Sequence, residues 1–146
     1  MLMPTRRSPR SNNDEGAVLI EFALVIGLFF MLVFGMVDFG LAINTKTQLT
    51  NAGREGARLG TVLPVAADIE ARVREVAADL DQTILVVTVT CEDASDVAVL
   101  CDSASAGDSI VVTLDYKYSL ITPLPGFIDT DNKIDLQSVT EMRLEL

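Results

Sequence analysis

The chain of 146 residues contains no histidine, no tryptophan and only two cysteines. A histidine-based triad, a histidine metal site and a multi-cysteine zinc module are therefore excluded. Positive charge is also scarce: 11 Lys and Arg stand against 21 Asp and Glu, for a net charge of −10. Nucleic acid is a poor partner for such a chain, because phosphates need basic side chains to displace their counterions. The length fits about one domain. Yet 49% of the residues are hydrophobic and the mean hydropathy is +0.37, high for a soluble protein of this charge. The apolar residues must be concentrated somewhere.

They are concentrated between Gly16 and Val37, a run of 22 residues with a single charge, Glu21. About 20 apolar residues in a helix cross the roughly 30 Å hydrocarbon layer of a bilayer. Arg6, Arg7 and Arg10 precede the run, while Asp38 and, further on, Lys46 follow it. Basic residues on the N-terminal side predict a cytoplasmic N-terminus and an exported remainder. A cleaved secretory signal shares the basic start and the apolar run. This run, however, is longer than a signal's apolar core, and Asp38 and Phe39 stand where a small-x-small cleavage site would follow. A membrane anchor with a processing site at its start fits better.

Glu21 is the informative residue. A carboxylate inside a spanning segment is costly unless it is paired. Near the cytoplasmic end it could snorkel to water. The preceding string, Asp14-Glu15-Gly16-Ala17-Val18-Leu19-Ile20-Glu21-Phe22, offers a sharper account. A cut after Gly16 would make Ala17 the first residue, and its new ammonium could pair with Glu21 of the same chain or a neighbour. A buried ion pair is tolerated where a lone charge is not.

A basic leader, a Gly, four apolar residues and then a Glu resemble the type IV pilin processing site. Glu followed by Phe22 is similar to the Flp (tight-adherence) branch. The resemblance implies that a prepilin peptidase cuts between Gly16 and Ala17 on the cytoplasmic face, and that Glu21 sets subunit registration. A longer pattern follows: Phe34-Gly35-Met36-Val37-Asp38-Phe39-Gly40, and then Asn51-Ala52-Gly53-Arg54-Glu55-Gly56-Ala57-Arg58. An apolar span, an acidic-Phe-Gly junction and an Asn-Ala-x-Arg-Glu-Gly-Ala-Arg stretch resemble the TadE-like pilin-related family. Gly53 departs from the pattern, standing where a second Ala is common.

Beyond the span, Asp38 to about Leu63 is helix-compatible, with Leu41, Leu49, Ala52, Ala57 and Leu59 available for one face. Gly40, Gly53, Gly56 and Gly60 each weaken a helix by about 1 kcal/mol relative to Ala, so a flexible stalk is the plainer alternative. Small residues also permit close helix packing in a bundle or filament core. Arg54, Glu55 and Arg58 read equally well as a solvated face or a partner contact. Pro64 signals a second helix, tolerated there in the first turn. Ile69, Val73, Val76 and Leu80 give it an apolar stripe expected to cover a sheet. Asp68 and Glu70 suit its start, whereas Asp79 and Asp81 predict a stop near Leu80.

Thr83 to Cys91 reads as a strand, central because Leu85, Val87 and Val89 point one way and Ile84 and Val86 the other. Ser109 to Leu120 alternates, with Ile110, Val112, Leu114, Tyr116, Tyr118 and Leu120 on one face. Pro123, Pro125 and Gly126 break the chain. Lys133 to Leu146 alternates again through Ile134, Leu136, Ser138, Thr140, Met142 and Leu144. In an exported head, Cys91 and Cys101 are expected to form a disulfide, stabilising by about 2–3 kcal/mol. Asp129-Thr130-Asp131-Asn132-Lys133-Ile134-Asp135 and the acids between the cysteines invite a calcium reading, but Lys133 and Ile134 occupy the fifth and sixth places of an EF-hand loop and no Glu closes it. Residues 81–146 carry 12 acids and three bases, more in keeping with a solvated coat.

The expected fold class is α+β: a long N-terminal transmembrane, pilin-like helix, a second amphipathic helix and a small antiparallel three- to four-stranded C-terminal sheet. Residues 1–16 form a basic leader, 17–63 the long helix with its span at about 17–37, and 64–146 an extracytoplasmic head. The resemblance implies a non-enzymatic pseudopilin or minor pilin of a tight-adherence pilus or secretion system, acting in pilus assembly and surface adhesion. Implied partners are the membrane, the prepilin peptidase, other pilin or pseudopilin subunits and the pilus assembly platform. No cofactor, metal, nucleic acid or small-molecule substrate is implied. The implied location is the bacterial inner membrane, single pass, or in or at the tip of a surface pilus. An uncleaved, anchored binding or adhesion domain is the alternative. An anchored hydrolase could use carboxylates, but no acid pair is singled out by spacing.

Overall fold

The computed structural model describes residues 13–95, 97–122 and 132–145. The leader arginines, Asp96, Pro123, Pro125, Gly126, Asp129, Asp131 and Leu146 lie outside the described residues.

Helix α1 (Asn13–Gly60) runs unbroken for 48 residues, about 70 Å at 1.5 Å per residue. Its two halves have different surroundings. From Gly16 to Val37 the side chains are exposed, with only Ile26 partly covered. From Asp38 onward one stripe is buried: Asp38, Ala42, Thr45, Leu49, Ala52, Gly56 and Gly60. Steps of three and four residues place them on one helix face. The expected face is thus partly corrected: Leu49, Ala52 and Ala57 are inside, but Leu41 is exposed and Leu59 half-buried. Asp38 and Thr45 take part because the stripe follows the helix geometry and not hydrophobicity alone.

The glycines do not loosen α1 into a stalk. A Cβ at Gly56 would lie 2.3 Å from Cγ2 of Val73, and one at Gly60 would lie 2.4 Å from Cδ1 of Ile110. Bare backbone at these two positions lets a second helix and the sheet close onto α1. The packing they permit offsets a helix penalty of about 1 kcal/mol each.

Helix α2 (Ala66–Val76) starts later than expected: Val65 is its N-cap, so Pro64 stands ahead of the helix and not in its first turn. It also ends sooner, at Val76, where Ala77 leaves helical geometry. Ile69 and Val73 are fully buried, while Val76 is exposed and Ala77 and Leu80, past the helix end, take the inward places. The Gln82 amide donates to the carbonyls of Ala77 (2.7 Å) and Leu80 (3.1 Å), satisfying this exit from the helix. Its stripe packs mainly on α1 and less on the sheet, where Ile69 approaches the same Gly60 position as Ile110 of the sheet.

Four antiparallel strands follow: β1 (Leu85–Glu92), β2 (Ala98–Val99), β3 (Ser109–Ser119) and β4 (Lys133–Arg143), in the order β2-β1-β3-β4. Period-two alternation sorts their faces. Ile110, Val112 and Leu114 of β3 face the helices and are fully buried, as is Cys91 of β1. Ser138 of β4 joins that face and donates to the Thr50 hydroxyl of α1 at 3.3 Å. Among the described residues no helix or second sheet covers the sheet's other face. β1 does lie between two strands, but β2 pairs only with Cys91 and Glu92, and Val86, Thr88 and Thr90 are exposed. Apolar Ile84 and Val86 therefore do not mark a strand covered on both sides. The architecture is α+β, with one core between the second half of α1, α2 and one sheet face.

Candidate functional site

The residues singled out in the sequence fall into three zones along α1. Gly16 and Ala17 lie in its first turns, and nothing crowds Gly16 within 4 Å. Glu21 and Phe22 are exposed on the same apolar cylinder, Phe22 by 61%. The structure does not bring Glu21 to any basic partner among the described residues. This segment is long and apolar enough to cross a membrane, and none of its most apolar window is buried by the rest of the chain.

The second zone is the junction at Asp38, Phe39 and Gly40. Asp38 is only 5% exposed. Its carboxylate accepts the backbone N–H of Ile121 at 3.1 Å, the backbone N–H of Thr122 at 3.4 Å and the Thr122 hydroxyl. A buried carboxylate needs such donors, because burial without them disfavours the charge. Its partners sit where the chain has left β3, so Asp38 ties the end of the membrane-capable segment to the end of the sheet. Tyr118 lies nearby. Burial raises its phenol pKa above the usual value, and the Asp38 charge and Tyr116 raise it further. Phe39, the next residue, is 68% exposed.

The third zone divides the Asn51-to-Arg58 stretch by helix face. Asn51, Arg54 and Arg58 are exposed. Gly56 and Ala57 are buried, Gly56 under Val73 and Ile69 of α2. Glu55 lies between: its carboxylate is 3.6 Å from Arg72 of α2 and 4.0 Å from Arg58. Arg72 also meets Glu75 at 2.9 Å, and these carboxylates keep its pKa raised. All of these groups are substantially solvated, so the pairs orient more than they stabilise. The one stretch thus serves both core packing and a solvated face.

Cys91 and Cys101 form a disulfide with Cα atoms 5.1 Å apart. Asp93, inside the loop it closes, accepts the backbone N–H groups of Ser95 and Val97 at 2.8 and 3.0 Å. That acid folds its own loop. Among the described residues no three metal-ligating side chains converge. Ile121 and Thr122, the partners of Asp38, were not singled out in the sequence. No local signal marks them, since they lie 83 and 84 positions away.

Residues 16–58 match the family described as TadE-like protein. The resemblance read from the motif is borne out over that segment, which runs from the Gly of the expected cut to the last Arg of the Asn-Ala-x-Arg-Glu-Gly-Ala-Arg stretch. No curated protein and no solved structure matches the chain. The TadE-like segment therefore holds both the membrane-capable half of α1 and the half that builds the core, with Asp38 at the boundary.

Proposed function

We propose that this protein is a pseudopilin or minor pilin of a tight-adherence (Flp-type) pilus or secretion system. The TadE-like match over residues 16–58 carries this reading. In it, residues 1–16 are a leader, 17–63 supply the long helix and 64–146 complete the head. A prepilin peptidase cuts after Gly16, with the N-terminus in the cytoplasm and the head across the inner membrane. The subunit waits in the bilayer, then moves through the assembly platform into or onto a filament that serves adhesion or secretion. Its apolar helix passes from lipid to a bundle of like helices, so its surface stays out of water throughout. Glu21 passes from a solitary carboxylate to a pair with a neighbour's Ala17 ammonium, which selects one axial stagger. The role is structural, not enzymatic.

The deciding measurement is the N-terminal mass of the protein extracted from membranes. Ala17 as the first residue is expected, with loss of the cut when the peptidase is removed. An intact leader in both strains would leave a permanently tethered exported domain instead.

A further inference from the structure

The membrane-proximal end of the head carries an apolar flank that none of the described residues covers. Phe39, Ala42 and Ile43 of α1 form a shallow groove with Ile134 and Leu136 of β4, and Lys46 lies at its upper end. Phe39 is 68% exposed, Ile43 51% and Ile134 40%. Ile121, whose N–H is held by Asp38, the residue before Phe39, is 72% exposed. Val62 and Leu100 of the head are exposed as well, and Val62 lines a separate shallow depression in which Glu55, Arg58 and Arg72 supply charge.

We propose that this flank rests in the interfacial layer of the bilayer, so that the head lies against the membrane and does not stand off it. The argument is continuity. The flank begins where the membrane-capable run ends, at Val37. Helix rise places Phe39 about 3 Å and Ile43 about 9 Å past Val37. The interfacial zone adds about 5–8 Å on each side of the hydrocarbon. Phe39 falls within that zone and Ile43 at its outer margin, where headgroups and upper acyl chains partly remove apolar side chains from water. Ile134 shares the groove with both residues, so β4 reaches the same depth. Lys46 lies about 13 Å beyond Val37, and Lys133 is exposed next to Ile134; both are long enough to reach the phosphate level. The nearby Asp135 is opposite Lys117 in the strand register, so its charge has a cation beside it. Asp38, at the hydrocarbon edge, is already satisfied by Ile121 and Thr122.

The inference rests on the membrane-spanning reading, and the test separates the two. The chain has no tryptophan, so one introduced indole reports alone. Full-length Ile134→Trp and Leu28→Trp are reconstituted separately in phosphatidylethanolamine–phosphatidylglycerol vesicles containing acyl-brominated lipids. The expected result is a blue-shifted Ile134→Trp emission quenched best by lipids brominated close to the headgroup, and Leu28→Trp quenched best by lipids brominated deep in the chain. An unquenched Ile134→Trp beside a quenched Leu28→Trp overturns the resting head and leaves the anchor intact. Loss of quenching in both removes the anchor and the inference with it. A blue shift that bromine does not quench, and that fades as protein is diluted in lipid, assigns the flank to a second copy and also overturns the proposal.

Discussion

Asp38 holds Thr122 twice: one carboxylate oxygen accepts both the hydroxyl and the backbone N–H of a residue 84 positions later. The other oxygen accepts the N–H of Ile121. Replacing Asp38 with Ala would strand the buried N–H and hydroxyl of Thr122 and free the half-buried N–H of Ile121, at a cost of about 2–3 kcal/mol. Thr122→Val removes only the hydroxyl and should cost about 1 kcal/mol. Urea unfolding of the full chain in detergent micelles measures both. Equal stability of Asp38→Ala and the unmodified protein would mean that the latch does not hold the head.

Two glycines of the TadE-like segment should respond with opposite signs. Gly40→Ala adds a methyl where nothing lies within 4 Å, so helix propensity alone acts and stability rises by up to about 1 kcal/mol. Gly56→Ala drives its Cβ into Val73, and overpacking of this kind costs about 1–3 kcal/mol. The same unfolding measurement reads both. Stabilisation by Gly56→Ala would contradict the close seating of α2 on α1.

Much of this arrangement was readable before the structure, and the rest was hidden for identifiable reasons. The alternation of Ile110, Val112 and Leu114 marked a buried face because strand geometry has a fixed period of two. The cysteine pair was visible because a short loop between two cysteines, in a head expected to be exported, has few other uses. Helix α1 was harder to follow past Gly53, Gly56 and Gly60. Local propensity argues against helix there, and only the approach of Val73 and Ile110, neither of them near in sequence, explains why bare backbone is favoured. Val76 looked like part of the apolar stripe, but the helix ends at it and Ala77 turns inward instead. The exposed face of β1 could not be seen either, since Val86 is apolar whether or not a layer covers it. Asp38 stood out as a motif residue, yet its role depends on a partner from beyond the third strand.

Reduction of the disulfide should weaken the head without releasing the anchor. Cys91 is fully buried, and the bridge joins the end of β1 to the turn after β2. Closing a loop of this size contributes about 2–3 kcal/mol in the chain-entropy view. Cys101→Ser should lower the unfolding midpoint accordingly and leave membrane extraction unchanged. No change in the midpoint would show that the β1–β2 hairpin is held by its other contacts.

Alkaline pH should loosen the junction through Tyr118. Its phenol has a pKa raised in the folded state, first by burial and then by the Asp38 carboxylate. A native pKa above the unfolded one means that the folded chain keeps the proton longer. Stability is therefore fully present below pH about 10, the ordinary tyrosine value, and falls as pH rises through the native pKa. Tyr118→Phe should flatten that fall. Phenolate absorbance should show a tyrosine ionising above the ordinary value that disappears in Tyr118→Phe, and a Tyr118 that ionises at the ordinary value would refute the effect.

Glu21 provides the sharpest test of assembly, because it is exposed in α1 and lies well before the first residue that packs on the sheet, Asp38. Glu21→Gln should leave the head's unfolding midpoint and the anchoring untouched, since no core contact is lost. In a filament, the same change would leave a neighbour's Ala17 ammonium without its counter-charge in an apolar bundle. Breaking one side of a buried pair costs about 3–5 kcal/mol, enough to reduce incorporation by at least on the order of a hundredfold at equilibrium. Sheared surface filaments, compared by mass spectrometry against the membrane pool, give the ratio directly. A variant found in filaments at the unmodified level would remove the registration role of Glu21, while a variant lost from the membrane as well would indicate a fault in insertion instead.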